Sequence, residues 1–185
     1  MFVDHVLRAI LYARIVIVNL LFTALGLSEE IAAVAFTGDE DIELKIYTAD
    51  RTLLSNLIRE KIRKHEFTCL KYITDSVFYV NHEDIHFYFM IRNITEKTMD
   101  ASYVRKTYET LARAGVDLKT YVSHVNVDNH AGVYRVFIYT YDLYYIERKI
   151  SAYCKDSARQ SDDFYLEYEF NNNGVWYDVF LEAKA

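Results

Sequence analysis

The sequence contains no proline and only five glycines, at positions 26, 38, 115, 132 and 174. With no proline- or glycine-rich stretch there is no linker to hold one part of the chain away from another. Whatever units form are therefore expected to pack together. The same scarcity rules out a phosphate-cradling glycine loop, a dinucleotide-binding fingerprint and a Gly-x-Ser-x-Gly nucleophile elbow.

At 185 residues, 52% hydrophobic and 26% charged, the chain has the composition of a globular protein with a sizeable core. Its formal charge of −6 argues against a surface for phosphate backbones, which needs clustered Lys and Arg. The two cysteines, Cys69 and Cys154, do not make a disulfide framework. Cys154 falls on the apolar side of an expected helix, as a small buried thiol. The expected setting is reducing and cytoplasmic, with no cofactor.

From Val6 to Leu27 the sequence is strongly apolar. Arg14 and Asn19 interrupt it, and the uninterrupted run is shorter than the roughly 20 residues that span a bilayer. At 100° per residue, Asp4, His5, Arg8, Tyr12, Asn19 and Thr23 fall in one narrow polar stripe. This predicts a helix over Phe2 to Leu25 that is covered on both flanks, by its own sheets or by the same helix of a second copy. A core helix is favoured over a membrane segment.

The remaining pattern is helix and hairpin, given twice. Strands are predicted at 31–36 and 42–47, then a helix capped by Asp50 with Leu53, Leu54, Leu57, Ile58 and Ile62 at helical spacing. Strands follow at 67–73, 77–80 and 85–91. A third helix is expected from about Asp100 to Gly115, strands at 118–125 and 133–139, and a fourth helix capped by Asp142. The final strands, 164–170 and 175–181, flank an Asn-Gly turn. Ile46-Tyr47-Thr48-Ala49-Asp50 recurs as Ile138-Tyr139-Thr140-Tyr141-Asp142, 92 positions on. The expected fold is α+β: two pseudo-symmetric halves of helix–hairpin (αββ) units, with antiparallel sheets packed against helices. The expected division is residues 1–99 and 100–185. In element order this is similar to longin and roadblock domains, and to LAGLIDADG homing endonucleases, whose helix-end motif Leu25-Gly26-Leu27-Ser28-Glu29 resembles only in part. Likeness of element order carries no function.

His82-Glu83-Asp84-Ile85-His86 satisfies the His-Glu-x-x-His pattern, which on a helix places two imidazoles on one face for zinc and a glutamate beside the bound water. Aromatic and β-branched residues on both sides predict strands and a turn instead, so no metal ligand is assigned. A zinc-dependent hydrolase using His82, Glu83 and His86 stays as the alternative reading. His5, His65, His124 and His130 show no ligand spacing, and no catalytic residue is nominated.

Tyrosine gives the second signal: 12 of the 17 follow residue 100. On the last strands Tyr165, Glu167 and Glu169 share one face, and with Trp176 they form the expected interface, suited to a partner of basic character. The expected function is a non-enzymatic protein-binding module: an adaptor, an assembly subunit or an inhibitor of another macromolecule. Its partner would be a protein, a second copy included. A nucleic-acid-binding relic of a helix–hairpin repeat is the third reading.

Overall fold

A computed structural model describes residues 2–37, 42–130, 133–155, 164–169 and 176–183. Helix α1 (Phe2–Leu25) and a 3₁₀ turn (Ser28–Glu30) lead into β1 (Ala33–Thr37) and β2 (Ile42–Thr48). Then come α2 (Arg51–Arg63), β3 (Thr68–Thr74), β4 (Val77–His82) and β5 (Ile85–Asn93). The rest comprises α3 (Met99–Arg113), α4 (Leu118–Tyr121), β6 (Val122–His130), β7 (Val133–Thr140), α5 (Leu143–Lys155), β8 (Phe164–Glu169) and β9 (Trp176–Ala183). The turns expected at Gly38 to Asp41 and Asn171 to Gly174 lie outside the described residues.

The start of β6 differs from expectation. Residues 118–121 are a helical turn and not the start of a strand, because Asp117 caps them. Its Oδ1 accepts from the Thr120 backbone N–H at 3.3 Å and its Oδ2 from the Thr120 hydroxyl at 2.7 Å.

The chain is α+β, with helices packed on a sheet. The nine described strands form one mixed sheet in the order β3-β4-β5-β2-β1-β6-β7-β9-β8. Every expected hairpin is antiparallel, but two parallel pairs, β2 with β5 and β1 with β6, join them edge to edge. Parallel partners need a crossover, and the helices supply it. In the β1–β6 pair Ala33, Val34 and Ala35 lie opposite Val125, Asn126 and Val127, so the sheet is continuous across the expected 99/100 division.

Strand alternation sends neighbouring residues into different cores. Val34 packs with Leu44, Ile46, Phe78 and Phe89 beneath α1 and α2, around Phe22, Leu54 and Ile58. Ala33 and Ala35 pack on the opposite face with Val125, Val136 and Ile138 beneath α3 and α5, around Val104, Ile146 and Ile150. Each half thus covers its own side of the common sheet.

The recurring Ile-Tyr-Thr-x-Asp segments have matching local geometry. Asp50 Oδ1 accepts from Leu53 N–H at 3.0 Å, and Asp142 Oδ1 accepts from Tyr145 N–H at 3.0 Å. The Thr48 hydroxyl accepts from Asp50 N–H at 3.3 Å, and that of Thr140 from Asp142 N–H at 3.1 Å. The helices preceding the two hairpins also end alike. Gly26 (φ 66°) and Gly115 (φ 78°) take the left-handed conformation. The next residue in each case closes a wide turn, Leu27 N–H to Phe22 C=O and Val116 N–H to Leu111 C=O, both at 3.0 Å. Beyond these segments the halves diverge. The first adds three strands and the second two, and β5 is parallel to β2 whereas β9 is antiparallel to β7.

Helix α1 corrects one expectation. Ile15, Val18, Leu21, Phe22 and Leu25 are buried, and so is Asn19 of the polar stripe, but the helix is not covered on both flanks by its own sheets. Ile10 is 48% exposed, Val16 37% and Leu20 65%, so an apolar side of the helix faces outward. No helix among the described residues is long and apolar enough to cross a membrane.

Candidate docking surfaces

The His-Glu-x-x-His segment forms a hairpin. His82 pairs with Ile85 and Asn81 with His86, while Glu83 and Asp84 make a two-residue turn with φ of 49° and 63°. Since pairing alternates faces, His82 and His86 point to opposite sides of the sheet. His82 Nδ1 donates to the Glu66 carbonyl at 3.2 Å on the α2 side, and His86 Nδ1 shares a hydrogen bond with the Tyr79 hydroxyl at 3.1 Å. The spacing that unites two imidazoles on a helix separates them on a strand. In this hairpin the two imidazoles of the alternative reading, His82 and His86, do not converge on one point. Among the described residues no group of three His, Cys, Asp or Glu is placed to hold a metal.

His86 belongs to a different surface. Among the described residues, the core under α3 and α5 contains no residue of β3, β4 or β5, and no described helix covers this end of that face. Register builds it in rows. Lys71, Tyr79, Tyr88 and Glu43 lie side by side across β3, β4, β5 and β2, and Val77, Met90 and Lys45 form the next row. Tyr79 is the centre: its ring meets His86 edge-on at 5.6 Å and lies 6.4 Å from Tyr88. Tyr79, Tyr88, Met90 and Arg92 are half-buried, and His86 and Lys71 are exposed. At the helical side Lys45 pairs with Asp100 of α3 at 3.5 Å, and the Tyr47 hydroxyl bonds that of Thr98, which caps α3.

Beside this face runs the sheet edge. Strand β3 has Leu70, Tyr72 and Ile73 exposed, with Lys71 between them. Its pairing with β4 shifts twice, between Cys69 and Lys71 and between Tyr72 and Thr74. Bulges and a central lysine are what keep an edge strand from adding another strand. The exposed side chains, not the backbone, are its available feature. Burial pushes the Cys69 thiol up, away from a reactive thiolate.

Of the residues expected to form an interface, Tyr165, Glu167 and Glu169 occupy alternate positions of β8, opposite Glu182, Phe180 and Asp178 of β9. Trp176 lies opposite Tyr139 of β7. The register gives all four positions the same parity, at the far edge of the sheet from β3. Their side chains lie outside the described residues. Tyr79, Tyr88 and Met90 were missed in the sequence. The available signal was that Val77–Val80 of β4 and Phe87–Ile91 of β5 are unbroken apolar or aromatic runs, which promises cover on both faces, whereas the described helices cover only one.

No protein-family model, curated protein or solved structure matches this chain.

Proposed function

We propose that the chain is a non-enzymatic protein-binding module that docks a partner on the open face of β3, β4 and β5. The observation that carries this reading is the Tyr79–Tyr88–Met90 patch left without a helix. Aromatic residues, Met and Arg are the types enriched at the centres of protein interfaces, and half-buried rings are already partly ordered before a partner arrives. Lys71, Arg92 and His86 ring the patch, with Glu43 the opposing charge and Lys45 neutralised by Asp100. The face is thus basic on a molecule of net charge −6, which selects a partner with acidic groups around an apolar centre.

Catalysis has no comparable support. The His-Glu-x-x-His turn divides its histidines, and the one deeply buried imidazole among the described residues, His124, is occupied in a structural contact.

The test is affinity purification of the tagged chain from its native host, followed by quantitative binding of the recovered partner. Tyr79→Ala and Tyr88→Ala should each weaken binding by about 2 kcal/mol or more, roughly 30-fold, while Tyr144→Ala, 79% exposed on α5, should not. Undiminished binding by the Tyr79→Ala/Tyr88→Ala double variant would place the partner elsewhere. Binding abolished by nuclease would mean that the rings stack on a nucleic acid.

A further inference from the structure

Each of α2, α3, α4 and α5 shows exposed charged side chains, including Arg51, Glu109, Lys119 and Arg148. Among the described side chains of α1, those exposed are Ile10, Ala13, Val16, Leu20, Thr23 and Ala24, with Ile17 half-buried. That outward arc is uncharged. Arg14, at its margin, is half-buried and engaged within its own chain. A helix with one side in its own core and an apolar face in water is an incomplete arrangement.

We propose that this face is covered by the same face of a second copy, α1 lying antiparallel to α1. Three observations select that occupant. First, Ile10, Ala13, Ile17, Leu20 and Ala24 are spaced alternately three and four apart, the repeat of a helix–helix seam. Second, the seam fits itself. In a two-fold antiparallel pair Ile10 meets Leu20 of the partner subunit, and Ala13 meets Ile17 of the partner subunit, so a small side chain makes room for a branched one. Third, the face is uncharged, so a covering surface must be too, or a charge is desolvated without a partner. A lipid surface would draw on exposed Lys or Arg beside the arc, and the described part of α1 has none.

The area sets the strength. The exposed part of the arc amounts to on the order of 400 Å² per copy, about 800 Å² for the pair, against about 1,200 Å² or more in stable complexes. The dimer is therefore a weak one, dissociating in the micromolar range. This proposal is independent of docking on the open sheet face, which lies on the other side of the sheet.

Sedimentation velocity over a concentration series tests it. The wild-type chain should pass from the mass of one copy, 21.8 kDa, towards twice that as concentration rises. Leu20→Glu should stay monomeric throughout, with unchanged circular dichroism and melting temperature, because Leu20 is 65% exposed in the monomer. In a Cys69→Ser/Cys154→Ser background, mixed Ala13→Cys and Ile17→Cys chains should form a disulfide at least tenfold faster than Ala13→Cys chains alone. A monomer at every concentration would overturn the proposal, as would a dimer that survives Leu20→Glu. Faster Ala13→Cys self-linking would exclude the antiparallel pairing. A monomer that floats with phosphatidylserine vesicles and loses them on Leu20→Glu would reassign the face to a membrane.

Discussion

His124 Nε2 lies 2.6 Å from Asn19 Oδ1, a buried contact that ties the first helix of the chain to β6 across 105 residues. The amide oxygen can only accept, so Nε2 carries the proton, and Nδ1 accepts from the Ser123 hydroxyl at 3.2 Å. The imidazole stacks on Tyr139 at 5.1 Å and meets the Phe22 ring edge-on at 6.4 Å. Burial holds its pKa down at about 4, against an ordinary 6.5.

That depression makes stability depend on pH with a definite sign. The unfolded chain takes up the proton near 6.5 and the folded one only near 4. The full contribution is present above pH 6.5, is lost progressively as pH falls towards 4, and changes no further below. The loss is on the order of 3 kcal/mol at most. Urea unfolding of wild type and His124→Gln at pH 7.5, 5.5 and 4.5 measures it, since the variant lacks this titration. Parallel pH profiles for the two proteins would show that the imidazole charges without penalty.

Asn126 is fully buried between Val34 and Phe137 in the sheet register, and neither its Oδ1 nor its Nδ2 has a hydrogen-bond partner among the described residues. Unmade hydrogen bonds of a buried amide cost about 1–3 kcal/mol. Asn126→Leu, close in volume, should raise the unfolding free energy by about 1–2 kcal/mol. Destabilisation in thermal or urea melts would mean that the amide is engaged and needed.

The matched junctions can be tested against each other. Asp50→Ala and Asp142→Ala should each cost about 1 kcal/mol, because each removes one carboxylate acceptor from the first turn of a helix. The double variant should lose the sum within about 0.5 kcal/mol, as the two caps share no partner. Clearly unequal costs would show that the recurrence is confined to the letters of the sequence.

How far the sequence was readable follows from the range of each interaction. Asp50 and Asp142 were legible as caps because a cap involves residues three apart. The turn at Glu83 and Asp84 was legible because strand alternation brackets it. The pairing of β1 with β6 was not, since nothing local to Val34 indicates Asn126 as its neighbour. Helix α1 shows the same limit in another form. Its period puts Asn19 and Ile10 on opposite sides, but period fixes which residues share a side, not which side meets the sheet. Asn19 turned inward because His124 awaited it, and Ile10 turned outward as a result. The open face was hidden for a related reason: nothing local to Tyr79 and Tyr88 tells which face of their strands a helix covers.

The parallel contact between β1 and β6 also dictates an order of events during synthesis. Strand β1 emerges early, with β2 on one side and nothing on the other until the chain has grown past Val127. For that interval the central strand of the finished sheet is an unprotected edge, and the side of α1 that Asn19 will commit to His124 has no floor. Contacts this distant in sequence close late and slowly, and an apolar edge left waiting is the place where nascent chains join one another. Slow elongation before residue 127 should therefore increase aggregation, and a holding chaperone should act on the first half rather than on the second.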